Sequence, residues 1–174
     1  MIFRVTPDGR FLIPATDETP AREVACVLGP GGVVPAQAKR EGDGATPAGR
    51  WPMRRALYRP DRGAAPASGL PLAAIRPDDG WCDAPDDPAY NRPVRLPYPA
   101  SAEAMWREDG LYDVVVVLGH NDDPPVPGMG SAIFLHCARP DFTPTQGCVA
   151  LARADLEAVL ALAGPGSAIE VQAP

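Results

Sequence analysis

Prolines and glycines interrupt this sequence so often that few stretches are free to form a long helix. The chain has 23 prolines and 17 glycines in 174 residues, and a proline inside a helix removes one hydrogen bond and clashes with the preceding turn. Between these breaks lie short apolar runs of strand length, such as IFRV, RFLI and EVACVL. The pattern predicts short strands joined by turns, and therefore a mainly β fold.

The second half of the chain adds stronger strand signals and two helix signals. The runs DVVVVL and SAIFLH predict strands at or near the centre of a sheet. Further strands are predicted from about 50 to 58 and at SAIEV. The stretch ARADLEAVLALAG has apolar residues at helical spacing, which predicts a helix ended by Gly164-Pro165. SAEAMWRED, residues 101–109, predicts a short helix capped by Ser101.

We interpret residues 1–174 as a single domain, because this length fits one hydrophobic core. Residues from about 60 to 100 are rich in Pro, Asp and Gly, and we interpret them as a long loop-rich insertion ordered by Trp81 and Tyr90. Long loops in compact domains are often binding surfaces. The acidic pairs here and at Asp122-Asp123 do not match a calcium-binding loop, so we interpret them as solvated turns.

Charge and hydropathy exclude several classes of function. The net charge is −6 and the basic residues are scattered, which argues against nucleic acid as a partner. The longest apolar run, VVVVL, is far shorter than the ~20 residues of a membrane span. No signal peptide is visible at the start. We expect a monomer that contains free thiols rather than disulfides.

The stretch HCARPDFTPTQGCVAL contains the candidate catalytic residues. His136 ends a predicted strand, and Cys148 follows a loop long enough for an antiparallel return that would place the thiol beside the imidazole. Such a pair is the minimum for cysteine nucleophilic catalysis, since the histidine lowers the thiol pKa and shuttles the proton. Gly147 would let backbone amides converge on an oxyanion.

Two other interpretations of the same residues are possible. Cys137 adjoins His136 on the strand and should point to the opposite face, and no C-x2-C spacing is present, so zinc is disfavoured. A strand-end histidine and a Gly-Cys turn can also be ordinary packing residues. Composition alone favours that packing interpretation.

The segments IFLH and TPTQGCVAL resemble the signature of the YkuD-type L,D-transpeptidases, in which a strand-end His precedes a [Ser/Thr]-x-Gly-Cys loop. GDGATPAGRW is similar to the Thr-Pro-x-Gly segment of that family. GWCDAPDDPAYNRPV, LYDVVVVLGHN and PGMGSAIFLH resemble one compact bacterial subgroup. The resemblance covers about residues 39–171 and implies a β-sandwich-like mixed sheet with a few short peripheral helices, the L,D-transpeptidase catalytic domain fold.

The resemblance also implies roles for particular residues. Cys148 would be the nucleophile and His136 the general base, oriented by the backbone carbonyl of Cys137. The oxyanion hole would be formed by the backbone amides of Gln146, Gly147 and Cys148. We expect the substrate-binding residues to be Thr145, His120, Asn121, Trp81 and Tyr90, although His120 can equally be a site-rim or a surface histidine.

Two positions depart from the family pattern. Many members have His where this chain has Gln146, and a basic residue where it has Ala150. A glutamine keeps its hydrogen-bonding capacity but does not titrate near neutrality. We therefore expect the nucleophile and base to be retained and the substrate or acceptor preference to differ.

The implied reaction is cysteine acyl transfer on peptidoglycan. Cys148 would attack the bond between diaminopimelate and D-Ala in a stem tetrapeptide, and a second stem would resolve the thioester into a 3→3 cross-link. An L,D-carboxypeptidase or hydrolase of murein peptides and a non-catalytic murein-binding module are the alternatives. The resemblance implies carbapenem-type inhibitors, no cofactor and no metal. It also implies the cell envelope or periplasm, whereas the missing signal peptide implies the cytoplasm if the chain is complete.

Overall fold

Strands dominate the computed structural model, which describes residues 1–174 and confirms the expected mainly β fold. None of its helices has the length and apolar character needed to cross a bilayer. A short 3-10 helix spans Ala36–Ala38, and the one α-helix, α1, spans Arg153–Leu162. The strands are β1 (Ile2–Val5), β2 (Arg10–Ile13), β3 (Arg22–Val27), β4 (Val33–Pro35), β5 (Thr46–Tyr58), β6 (Leu72–Ala74), β7 (Asp79–Cys82), β8 (Pro93–Arg95), β9 (Ala102–Ala104), β10 (Val114–Leu118), β11 (Phe134–Cys137), β12 (Val149–Leu151) and β13 (Ala168–Val171).

Two strands, β3 and β5, join the layers of the main sheet because each pairs with a different neighbour along its two halves. Gly49–Pro52 of β5 pair with β13, whereas Met53–Tyr58 pair with β10. Arg22–Ala25 of β3 pair with β2, whereas Cys26 and Val27 pair with β12. The order β10-β11-β12-β3-β2-β1-β13-β5 therefore closes on itself through the β10–β5 pairing. Parallel pairs such as β1–β13 make the sheet mixed, as expected.

The main core contains 24 buried residues contributed by both layers and by α1. The helix predicted in the C-terminal stretch is present, and it buries Leu156, Val159 and Leu160 against the sheet. Its contacts are with β10 and β11. The helix thus covers the back of the strands whose opposite face carries the candidate site.

The short helix predicted for residues 101–109 is wrong. Residues 102–104 form β9, which pairs with β7 so that Glu103 lies opposite Trp81, and Met105 continues the contact by donating its amide to the carbonyl of Asp79. The Ala, Glu and Met residues of this segment favour a helix locally, but tertiary contacts routinely override propensity, and pairing with β7 satisfies the backbone groups instead. Ser101 consequently caps no helix.

The segment from 60 to 100 contains three short strands, and loops make up the rest of it. It forms β6, which extends the main sheet, and β7 and β8, which join β9 in a separate three-stranded sheet of order β8-β7-β9. A second cluster of eight buried residues packs this small sheet onto the main one, and it includes Trp81, Tyr112, Phe134 and Cys148. The insertion therefore lies over the face that holds the cysteine.

Candidate active site

Cys148 and His136 both line a cavity of about 370 Å³. Its walls come from the face of β11 and β12 that is turned away from α1, from the loop that precedes Cys148, and from the segment that follows β9. We refer to this space, lined by both residues, as the Cys148 cavity. Its location on the side opposite α1 keeps the cavity outside the main core.

Strand register explains why the two side chains share a face. β11 and β12 are parallel, with Leu135 opposite Val149 and His136 opposite Ala150. Paired residues share a face and alternate residues return to it, so Cys148, two residues before Ala150, lies on the same face as His136. Diagonal neighbours on one face lie about 7–8 Å apart, within reach of long side chains. The two side chains therefore lie on one face and line one cavity.

The antiparallel return expected between His136 and Cys148 is wrong. The loop between β11 and β12 runs back past β11 before β12 begins, so the two strands point the same way. Cys148 therefore lies level with Phe134, whose amide points at its sulfur at 3.4 Å. The opposite-face expectation for Cys137 agrees with the structure, because Cys137 packs in the main core beside Leu135 and Leu151.

The hydrogen bond of His136 determines which of its nitrogens is available as a base. Nδ1 lies 2.8 Å from the carbonyl oxygen of Cys137, and a carbonyl can only accept, so Nδ1 carries the proton and Nε2 is left unprotonated. The contact expected with the Cys137 carbonyl is thus present. Burial lowers the pKa of His136 to about 4 despite this bond. The imidazole is therefore neutral at physiological pH.

The thiol of Cys148 is not activated at rest, which corrects the expectation that the histidine lowers its pKa. Burial raises the pKa of Cys148 to about 12, and the Phe134 amide only partly opposes that rise. The sulfur donates to the carbonyl oxygen of Ala132 at 3.2 Å and forms no hydrogen bond with His136. A neutral imidazole supplies no positive charge that would compensate the thiolate for its lost hydration.

The turn before Cys148 requires glycine. Gly147 has φ = +117°, and a Cβ at this position would lie 2.6 Å from the carbonyl oxygen of Ala45. The Gly147 amide donates to the Thr145 hydroxyl at 3.1 Å, and that hydroxyl donates to the Cys148 carbonyl at 2.8 Å. The amides of Gln146 and Cys148 donate no hydrogen bond. Two of the three amides predicted for the oxyanion hole are thus unoccupied, and this role stays a prediction.

The cavity wall carries charged residues that sequence reasoning missed. Its carboxylates are Glu41, Asp83 and Glu103, and its cations are Arg107 and Arg139. The two arginines line the cavity even though no basic residue follows the cysteine at position 150. Glu103 and Arg107 were hidden from sequence reasoning because their segment was assigned to a helix.

Tyr112 links this charged wall to the base. Its hydroxyl donates to Glu103 at 2.7 Å, and its ring packs edge-on against the His136 imidazole with centroids 5.4 Å apart. The guanidinium of Arg107 lies 5.1 Å from the centre of the same ring. Burial raises the pKa of Glu103. The wall therefore fixes the imidazole plane from one side.

The structure brings only some of the predicted substrate-binding residues to the cavity. Thr145 lines it, whereas His120, Asn121, Trp81 and Tyr90 do not. His120 is neither a surface residue nor part of the cavity rim, since it is 4% exposed. Its Nε2 pairs with the carbonyl of Met129 and its ring packs edge-on against Trp51.

Asn121, Trp81 and Tyr90 serve other contacts. The Trp81 indole donates to Asn91 at 2.9 Å and packs edge-on against Phe134, while the Asn121 side chain bonds the backbone of its own loop. The Tyr90 hydroxyl donates to Glu41. No group of three or more His, Cys, Asp and Glu side chains is arranged to hold a metal ion.

Comparison with protein families gives one match. The model of the L,D-transpeptidase catalytic domain, YkuD, matches residues 3–171. No curated protein matches the chain. The match spans the main sheet, the insertion and the Cys148 cavity.

Proposed function

Since this chain belongs to the YkuD family of L,D-transpeptidase catalytic domains, we propose that it is a peptidoglycan L,D-transpeptidase. It would act on stem tetrapeptides at the bond between diaminopimelate and D-Ala, and form 3→3 cross-links. The observation that carries the proposal is that Cys148 and His136 line one cavity while the Cys137 carbonyl leaves Nε2 of His136 unprotonated.

Acylation would begin with transfer of the Cys148 proton to Nε2 of His136. The sulfur then forms a bond to the scissile carbonyl carbon, and the carbonyl oxygen becomes an oxyanion near the amides of Gln146 and Cys148. The protonated imidazole gives its proton to the departing amine, and D-Ala leaves. A thioester on Cys148 remains.

Deacylation would repeat these steps with a second nucleophile. The amine of another stem attacks the thioester carbon, His136 accepts the amine proton, and the thiol of Cys148 is restored. The neutral resting state of both groups suits this cycle, because the base must be unprotonated before each attack. The proton moves only when substrate has filled the cavity.

A non-catalytic stem-peptide binding module is the second candidate. The raised pKa of Cys148 favours it, because a thiol that never ionises needs no activation. The lack of a hydrogen bond between Cys148 and His136 points the same way. In this case the cavity would bind peptides and leave them intact.

Incubation with disaccharide tetrapeptides, followed by mass spectrometry of the products, tests the proposal. We expect cross-linked dimers and free D-Ala from the wild type, and neither product from Cys148→Ala. Cys26→Ala is the matched control, because Cys26 is also buried and free, with the same 8% exposure. Tripeptide without dimers would identify an L,D-carboxypeptidase, and unchanged tetrapeptide would favour the binding module.

The proposed reaction also implies a location. Peptidoglycan cross-linking takes place in the cell envelope, and we propose that the protein works there. Fractionation of the native cell, with detection by antibody, would locate it. Recovery in the cytoplasm alone would contradict this proposal and favour a hydrolase of recycled murein peptides.

A further inference from the structure

A second cavity, of about 390 Å³, lies between the main sheet and the β8-β7-β9 sheet. We call it the arginine cavity, because Arg54, Arg55 and Arg92 contribute to its lining together with Trp81 and Phe134. Arg55 comes from β5 of the main sheet, and Arg92 directly precedes β8 of the small sheet. Cations from two separate sheets therefore converge on one space.

The positive charge in this cavity is not balanced by the protein. Asp122 is the one carboxylate in its lining, and both of its oxygens bind Arg54, at 2.8 and 3.1 Å. The side chains of Arg55 and Arg92 form no hydrogen bond and no ion pair. The Nε atom of Arg55 is buried without any partner.

A buried donor atom without a partner is uncommon in native proteins, and here it belongs to a side chain that is otherwise half-buried. The chain has an excess of acidic residues, with 22 Asp and Glu against 16 Lys and Arg. Acidic partners are therefore plentiful elsewhere, yet none is placed beside Arg55. The arrangement is typical of a site whose anion comes from a ligand.

The remaining wall of the cavity is apolar apart from Asn91, whose side chain is already hydrogen-bonded within the protein. Trp81 lies beneath the Arg55 guanidinium, which is 5.9 Å from its ring centre. The apolar part of the lining also includes Val117, Leu118, Ile133, Pro71 and Pro93. A ligand that fills this space would therefore carry a small apolar part beside its anionic group.

Strand register relates this cavity to the cysteine. Arg55 lies opposite Val117, and Val117 lies opposite Phe134, whose amide faces the sulfur of Cys148. These residues form one row on one face of the sheet. Three strand spacings separate the backbones of Arg55 and Cys148, about 14 Å. The arginine cavity thus adjoins the Cys148 cavity and has different lining residues.

We propose that the arginine cavity is a binding site for a carboxylate carried on a short apolar skeleton, such as the C-terminus of a small peptide. Arg55 and Arg92 would bind the carboxylate oxygens, because the guanidinium fork matches carboxylate geometry. Trp81 would pack against the apolar part. The site does not depend on acyl transfer at Cys148, so it is testable whether or not the protein is catalytic.

Calorimetric titration with N-acetylalanine at constant ionic strength tests the site. We expect saturable binding at one site in the wild type and in Cys148→Ala. Arg55→Gln and Arg92→Gln should each weaken binding about tenfold or more, as expected for a lost charged hydrogen bond. Arg22→Gln is the matched control, because Arg22 is a surface residue paired with Asp155. N-acetylalanine amide is the control ligand, since it lacks the charge.

Three binding results would overturn the proposal. They are an absence of saturable binding to the wild type, equal binding of the amide, and unchanged affinity in either arginine variant. Thermal unfolding of Arg55→Met without ligand separates a binding role from a structural one. We expect no decrease in its Tm, because the guanidinium forms no hydrogen bond or ion pair in the free protein and Met keeps the apolar contact with Trp81. A clear decrease would show that Arg55 is structural and would equally overturn the site.

Discussion

Raising the pH should increase the alkylation of Cys148 continuously, without a plateau near neutrality. Burial raises the pKa of this thiol to about 12 from the ordinary value of 9.0. At pH 7 the thiolate is then about one molecule in 10⁵, against about one in 10² for an ordinary thiol. Between pH 7 and 10 the rate should rise about tenfold per pH unit.

Peptide-resolved mass spectrometry after timed exposure to iodoacetamide would measure this profile. Cys26 is an internal control, because burial raises its pKa to about 12 as well and it has no histidine partner. The two cysteines should therefore show the same slope. Circular dichroism at each pH would verify that the protein stays folded.

A different profile would refute the reasoning about the resting state. If alkylation of Cys148 reached a plateau below about pH 8 while that of Cys26 kept rising, the thiol would be ionised near neutrality. That result would require a thiolate–imidazolium pair with His136. It would also remove the observation that favours a binding module.

Three further predictions concern the same site. His136 has a pKa of about 4 in the folded protein and 6.5 ordinarily, so the unfolded state binds more protons than the folded state between these pH values. Urea titrations should therefore show a loss of about 3 kcal/mol in the free energy of unfolding as the pH falls through this window. His136→Gln should abolish that loss. A carbapenem should add one adduct by intact mass to the wild type and to Cys26→Ala, and none to Cys148→Ala; an adduct on Cys148→Ala would contradict the assignment of the nucleophile. Gly147→Ala should lower the free energy of unfolding by about 1–3 kcal/mol in urea titrations and abolish turnover. The reason is that the added Cβ would lie 2.6 Å from the Ala45 carbonyl oxygen. Wild-type stability of this variant would show that the loop relaxes to accept the Cβ.

The sequence by itself determined the strands with strong local patterns and identified the candidate catalytic residues. VVVVL and IFLH are apolar runs of strand length; VVVVL forms β10, and the last three residues of IFLH begin β11. The alternation of side chains along a strand also separated His136 from Cys137, and the structure has them on opposite faces. These features depend on neighbours in the chain, so the sequence expresses them directly.

Only the tertiary structure decided the features that depend on distant partners. β9 was predicted as a helix, because nothing near residue 103 in the sequence announces its pairing with β7. The direction of β12 relative to β11 depended on the path of a loop. Because strand β9 was missed, Glu103 and Arg107 were not predicted to line the Cys148 cavity.

The state of Cys148 shows the same division at the level of chemistry. The sequence placed a thiol after Gly147 and a histidine within reach, which predicted a lowered pKa. The fold instead buries the thiol in a cluster that includes Trp81 and Tyr112 and leaves the histidine neutral. A pKa depends on the hydration and charge that surround a group in space, and those surroundings come from residues far apart in the chain.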